Sequence, residues 1–142
     1  MDSYKPWQVI NGTFGEAWID SEYMSEVTGV EATVKLEQQE VNQVGTLSKG
    51  YKTTGIDCTG TIKTNKVNSY FLNLMSDNIK KGKTTECTII TNLADPDALG
   101  SERIKLIGCQ FNELKLANWE SKKLGEESVP FTFTSWELLD VI

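Results

Sequence analysis

Polar and apolar residues alternate along two long stretches of the chain. Val30, Ala32, Val34 and Leu36 share one face of an extended segment, with Glu31, Thr33, Lys35 and Glu37 on the other. Residues 55–64 repeat the arrangement: Ile56, Cys58, Gly60 and Ile62 on one side, Asp57, Thr59, Thr61 and Lys63 opposite. Successive strand side chains point to opposite faces, so each stretch predicts a strand with one face in a core and one in water. Shorter strands are predicted at 7–10, 16–20, 86–92, 102–107, 109–117 and 128–136. Gly108 breaks the phase between two of them and predicts a bulge. In the last, Val129, Phe131 and Phe133 face one way, and Pro130 predicts an edge position or a strand start because proline cannot donate to a ladder.

One segment has a different period. Between Asn65 and Lys81, Val67, Tyr70, Phe71, Leu74, Met75 and Ile79 recur at three- and four-residue spacing, which predicts an amphipathic helix over 65–81. Thr64 or Asn65 is placed to cap its start, Lys80 and Lys81 suit its negative end, and Gly82 suits the left-handed residue beyond it. No linker or fixed-period repeat divides the 142 residues, so one domain, 1–142, is expected. The fold class predicted is mainly β within α+β: an antiparallel β-sandwich or partial barrel carrying one helix. The connection 41–54 is far longer than a hairpin needs, and it carries Val44, Leu47, Lys49, Tyr51 and Lys52. Two readings fit it: a loop that orders against a neighbouring copy, or a plain floppy loop.

Composition narrows the chemistry. The chain has no His and a single Arg, Arg103. Ser-His-Asp triads, Cys–His pairs, His-ligated metals and imidazole acid–base work are therefore excluded, and little remains for bidentate phosphate recognition. Cys58, Cys87 and Cys109 are odd in number, widely spaced and without a CxxC, which predicts buried free thiols rather than a zinc site. Asp95 and Asp97 flank Pro96 but lack the calcium-loop spacing, and predict a turn. No GxSxG, P-loop or GxGxxG occurs. No metal, cofactor or catalytic residue is assigned, and the expectation is a domain that is not an enzyme. The first seven residues have neither the basic nor the apolar region of a signal peptide, and no stretch nears the roughly 18 apolar residues of a membrane span, so a cytosolic origin is expected.

The formal net charge of −6 is unevenly distributed. Residues 1–40 hold eight acids and two lysines, residues 41–85 two acids and seven lysines, and residues 86–142 ten acids and five bases. This is either chance variation among solvated faces or a basic hairpin-and-helix region that meets acidic surface on a second copy, since complementary patches steer association and fix register. Lys49, Lys52, Lys63 and Lys66 with Tyr51 form too short a basic run for nucleic-acid binding on an acidic chain. Trp7, Trp18, Trp119 and Trp136 lie in strand-like contexts, where burial in a core or interface is commoner than a sugar platform. A monomeric β-sandwich module binding carbohydrate or peptide through those tryptophans is the alternative to a self-assembling protein.

Several runs, in order and spanning nearly the whole chain, carry a family resemblance. They are Gly50-Tyr51-Lys52-Thr53-Thr54-Gly55-Ile56-Asp57-Cys58-Thr59-Gly60-Thr61, Tyr70-Phe71-Leu72, Lys80-Lys81-Gly82, Gly100-Ser101-Glu102-Arg103-Ile104-Lys105-Leu106 and Glu126-Glu127-Ser128-Val129-Pro130-Phe131-Thr132-Phe133. With these the chain resembles the tail tube proteins of contractile phage tails, of the type in PBSX-like defective prophages and R-type bacteriocins. The resemblance implies hexameric rings stacked into a hollow tube inside a contractile sheath, with each subunit's sheet continuing into its neighbours' as a closed inner barrel. It implies the sheath protein, a baseplate or tube initiator and a tape-measure protein as partners, and DNA passing through the lumen without specific binding in a complete phage. Under it Val30, Ala32, Val34, Leu36, Ile56, Cys58 and Ile62 pack inside the subunit. Glu31, Thr33, Lys35, Glu37, Asp57, Thr59, Thr61 and Lys63 line the lumen, acidic on balance along 29–40 and so repelling a polyanion. The loop 41–54 then reaches a neighbouring or next ring, assembled in the bacterial cytoplasm.

Overall fold

The computed structural model describes residues 3–142, so the first two positions of the opening considered for a leader lie outside it. Eight strands form one open antiparallel sheet that bends into two layers: β1 (Gly15–Ile19), β2 (Glu22–Tyr23), β3 (Val27–Val41), β4 (Gly50–Asn65), β5 (Cys87–Leu93), β6 (Glu102–Phe111), β7 (Glu126–Thr132) and β8 (Ser135–Asp140). The order is β2-β1-β5-β6-β7-β4-β3, with β8 on β6. One helix, α1 (Tyr70–Lys80), and short 3-10 turns at Pro6–Gln8 and Gly12–Phe14 complete the described residues. Among the described residues no helix is long and apolar enough to cross a membrane. The mainly antiparallel β fold with one helix is as expected, and the sheet is open in the single chain.

The bend is made by two strands that change layers together. β6 pairs with β5 and β8 over its first part, then with β7 at Gln110 and Phe111. Gly108 sits between these parts at a φ of +69°, a left-handed value that favours glycine. An extra residue there displaces the β5–β6 register, so the bulge expected at Gly108 is present within one strand rather than between two. Opposite it, Thr134 separates β7 from β8, donating its backbone N–H and its hydroxyl to the Ile107 carbonyl. Pro130 faces Thr61 on β4, and its carbonyl accepts from the Asn112 N–H on the other side. The proline nitrogen points to that same side, so no β4 ladder bond is lost.

The core lies between the layers. Rings run through it from Phe71 of α1 to Phe111, Phe131, Phe133 and Trp136, with centroids 5.2, 6.0, 6.1 and 6.5 Å apart. Ile19, Ile62, Ile89, Leu106 and the three free cysteines fill the space around them. The aromatic steps fall in the separation range at which offset and edge-to-face pairs are favourable.

The helix is shorter than its apolar period implies. β4 continues to Asn65, where Thr64 is buried opposite Val27 and Glu127. Asn65 and Lys66 give their backbone N–H groups to Glu26 and Gly125, so sheet bonds claim the first residues of the 65–81 segment. Val67 is exposed outside the helix. The end is as expected: Gly82 has φ +68°, its N–H bonds the Ile79 carbonyl, and the Lys83 N–H bonds that of Asn78, a Schellman closure. Residues 7–10 and 112–117 are not strands, and 128–136 is split between β7 and β8.

Candidate functional site

Pairing of β3 with β4 puts the two alternating stretches in register. Glu31 lies opposite Thr61, Thr33 opposite Thr59, Lys35 opposite Asp57, Glu37 opposite Gly55 and Lys63 opposite Gly29. All eight polar residues singled out in the sequence therefore share one face. Thr61 is half-buried and the other seven are exposed. The face continues onto β7, where Thr132, Pro130 and Ser128 stand beside Thr59, Thr61 and Lys63. Directly opposed Cβ atoms in such a ladder are roughly 5 Å apart, so Lys35 and Asp57 balance locally. The result is a smooth polar surface of threonines and small charges.

The opposite face is only partly covered. Ile62 and Cys58 are buried, and Val30 and Val34 pack half-buried against the core. Ala32 is exposed, Leu36 is 53% exposed and Ile56 48%, so the expectation that all three pack inside the subunit is wrong for the single chain. Phe133 donates its N–H to Cys58, after which the chain turns into the other layer. Beyond Cys58 the sheet is reduced to the two-stranded β3–β4 ribbon. Ala32 borders a cleft of about 590 Å³ between β3 and Leu93, Ile104 and Leu106 of the other layer.

That ribbon is an arm, and it takes in Val41 and residues 50–54 of the expected 41–54 loop. Gln38, Gln39, Glu40 and Val41 pair with Thr53, Lys52, Tyr51 and Gly50, so Tyr51 and Lys52 are strand residues and the tip is only residues 42–49. Val44 and Leu47 are fully exposed there, and Lys49 pairs with Glu40 at 3.4 Å. The arm thus gathers all five residues expected to meet another subunit at its outer end. At the opposite end of the strands lies a surface not read from the sequence: segment 112–125, with Leu116, Trp119 and Leu124 exposed. Its asparagines, Gly125 and Lys122-Lys123 were available as loop signals.

Two of the buried thiols are held protonated. Burial, with Cys109, Asp20 and Glu86 nearby, pushes the Cys87 thiol up to about 12. Burial also raises Cys109 to about 11, against a backbone hydrogen bond from Ile89 that lowers it. Thiols so protonated are poor nucleophiles. Asp95 is a turn residue, as expected: its carboxylate accepts from the N–H groups of Asn11 and Asp97 at 2.8 and 2.9 Å. Trp7 and Trp119 stand exposed outside the strands, contrary to the strand contexts expected for them; Trp18 packs at a tilt against Tyr23 and lies under Arg103, 5.5 Å away.

The described residues thus form a two-faced sheet with a polar surface, a bare edge and a protruding arm. The family model described as phage tail tube protein matches residues 2–140. The chain belongs to the phage tail tube protein family. It is 36% identical to the phage-like element PBSX protein XkdM of Bacillus subtilis (strain 168) over 136 residues, covering 94% of this chain and 92% of the relative. Two solved structures share the fold at low identity. One is a chain of the anti-feeding prophage tube-terminating cap, with TM-score 0.73 and 9% identity over 99% of this chain and 95% of that one. The other belongs to the extended sheath–tube complex of an extracellular contractile injection system, with TM-score 0.68 and 10% identity over 98% and 100%. The resemblance read from the sequence is thereby established, and the role is that of a tail tube structural component.

Proposed function

We propose that copies of this chain close into hexameric rings that stack as the hollow inner tube of a contractile tail or tail-like particle. One observation carries the reading. β3 is a fifteen-residue edge strand, paired among the described residues only with β4, whose exposed face is polar from Glu31 to Glu37. An edge of that length invites uncontrolled pairing, and ring closure against neighbouring copies removes it. The lumen is then the face of Glu31, Thr33, Lys35, Glu37, Asp57, Thr59, Thr61 and Lys63, and the arm carries Val44, Leu47, Lys49, Tyr51 and Lys52 to another subunit. The number six rests on the family resemblance. The partners are the sheath, a baseplate or tube initiator, a tape-measure protein and, in a complete phage, DNA that slides through without specific binding. The chain's contribution is structural, with assembly in the host cytoplasm.

Negative-stain electron microscopy of purified protein tests this, with rings or long tubes as the expected result. Protein that stays monomeric at high concentration and joins neither sheath nor tube fragments overturns it. A tryptophan fluorescence shift with a glycan panel under those conditions favours the binding-module alternative instead.

A further inference from the structure

The register of β5 and β6 puts two of the three thiols together. Cys87, the first residue of β5, lies directly opposite Cys109 on β6. Directly opposed residues of an antiparallel pair point to the same face, with Cα atoms about 4.5 or 5.5 Å apart. Both separations fall in the window that a disulfide spans, about 4.4–6.8 Å. Here that face is the core, and both side chains are buried in it. The Cys87 thiol donates to the Cys109 carbonyl at 3.6 Å, so its sulfur already reaches across the ladder. The Cys109 thiol donates to the Leu106 carbonyl at 3.4 Å. After burial, the neighbouring Cys109 is the next cause that pushes the Cys87 thiol up. Cys58 stands instead on β4, opposite Val34.

The place of the pair in the fold gives a bond there leverage. Cys109 follows Gly108 at the bulge, and Cys87–Cys109 is the last β5–β6 rung before β6 passes to β7 at Gln110. A covalent link at this rung pins the point where the sheet bends from one layer into the other. It also ties together the two ends of residues 88–108, which removes freedom from the unfolded chain.

We propose that Cys87 and Cys109 close into a disulfide staple when the folded chain meets a two-electron oxidant of the peroxide class. Opening at the start of β5 lets one thiol ionise. Its thiolate attacks a peroxide oxygen, the O–O bond breaks, and the departing hydroxide takes the released proton, leaving a sulfenic acid. The second thiol then attacks that sulfur. The S–S bond forms, the S–O bond breaks, and the hydroxyl leaves as water with the second proton. Two thiols and one hydrogen peroxide give one disulfide and two waters. Burial keeps both groups protonated in the closed fold, so the reaction is slow and the reducing cytosol leaves the pair open. The chemistry is independent of the tube reading, and only its use rests on it: a tail that leaves its host meets oxidising surroundings, where the staple locks the bend of each subunit.

The three thiols fall on separate tryptic peptides, 53–63, 84–103 and 106–115. The unmutated full-length protein is treated with a modest excess of hydrogen peroxide at pH 9, then unfolded with a maleimide present and mapped by mass spectrometry. Peptide 84–103 is expected to be joined to 106–115 within one chain, with the maleimide on 53–63. The oxidised protein should melt roughly 5 °C or more above the reduced one, and dithiothreitol should abolish the gain. Cys58→Ser is expected to keep both the link and the gain, and Cys109→Ser to lose both. Three alkylated thiols, sulfinic or sulfonic acids without a link, or a bond to Cys58 or between copies overturns the proposal. A link that leaves the melting temperature unchanged or lower overturns the staple. If Cys109→Ser does not fold, the map of the unmutated chain decides. Rings and tubes enter none of these readings, so the tube proposal and this one fail separately.

Discussion

Gly60 shows how a single position ties the polar face to the core. It lies between Ala32 on β3 and Phe131 on β7. A Cβ there would collide with the Glu31 carbonyl oxygen and stand 2.9 Å from Cε2 of the fully buried Phe131 ring. Gly60→Ala is therefore expected to destabilise by about 1–3 kcal/mol, the usual cost of overfilling a packed site, measured by chemical denaturation. A variant as stable as the parent would show that the ring moves freely. The core thiols give a second residue-scale expectation. Cys87 and Cys109 rise from 9.0 to about 12 and 11 on burial, and Tyr70, raised chiefly by burial and then by Glu22, goes from 10.0 to about 12. Each group holds its proton to higher pH folded than unfolded. The stability they contribute is complete below pH 9 and is lost as pH rises through 9 toward 11–12. The denaturation midpoint should be flat near neutrality and fall above pH 9; a midpoint unchanged to pH 11 would refute this.

At the scale of elements, the arm separates folding from assembly. Residues 42–49 make no ladder bonds, and their apolar side chains at Val44 and Leu47 touch nothing within the chain. Replacing 42–49 by Asn-Gly closes the ribbon with a two-residue turn suited to strand twist. The product is expected to melt like the parent and to form no tubes by electron microscopy. Normal tubes would remove the arm from assembly. The same ribbon shows what local sequence reveals. Alternation from Val30 to Lys63 disclosed both long strands and put all eight polar residues on one face, because a period of two is a property of the strand itself. It could not disclose that Leu36 and Ile56 are bare, since that follows from β7 leaving β4 at Phe133. The late start of α1 at Tyr70 has the same origin. Bonds from Asn65 and Lys66 to distant Glu26 and Gly125 outweigh the helical period of Val67. The end at Gly82 was legible because a Schellman closure is local. Strand spacing predicts 112–117 as a strand, but the chain leaves the sheet after Phe111, and the exposure of Trp119 follows from that departure rather than from local sequence.

For the whole molecule, the acidic balance gains a location. On the polar face each copy presents Glu31, Glu37 and Asp57 against Lys35 and Lys63. If that face lines the channel of a closed ring, as proposed, the excess of one acid per copy repeats around the lumen and repels a polyanion. Reversing the sign tests whether this face does line the channel. Glu31→Lys with Glu37→Lys converts it to three excess bases per copy at exposed positions, leaving the fold unstrained. A tube so altered should retain linear double-stranded DNA at low salt and release it as salt rises, because phosphate contacts weaken with counterion concentration. The retained DNA should also resist nuclease, while a closed circular plasmid, unable to thread, should gain no such protection. The parent tube should hold neither. Equal protection of linear and circular DNA would mean that Glu31 and Glu37 face outward, and the assignment of β3 and β4 to the lumen would then be reversed.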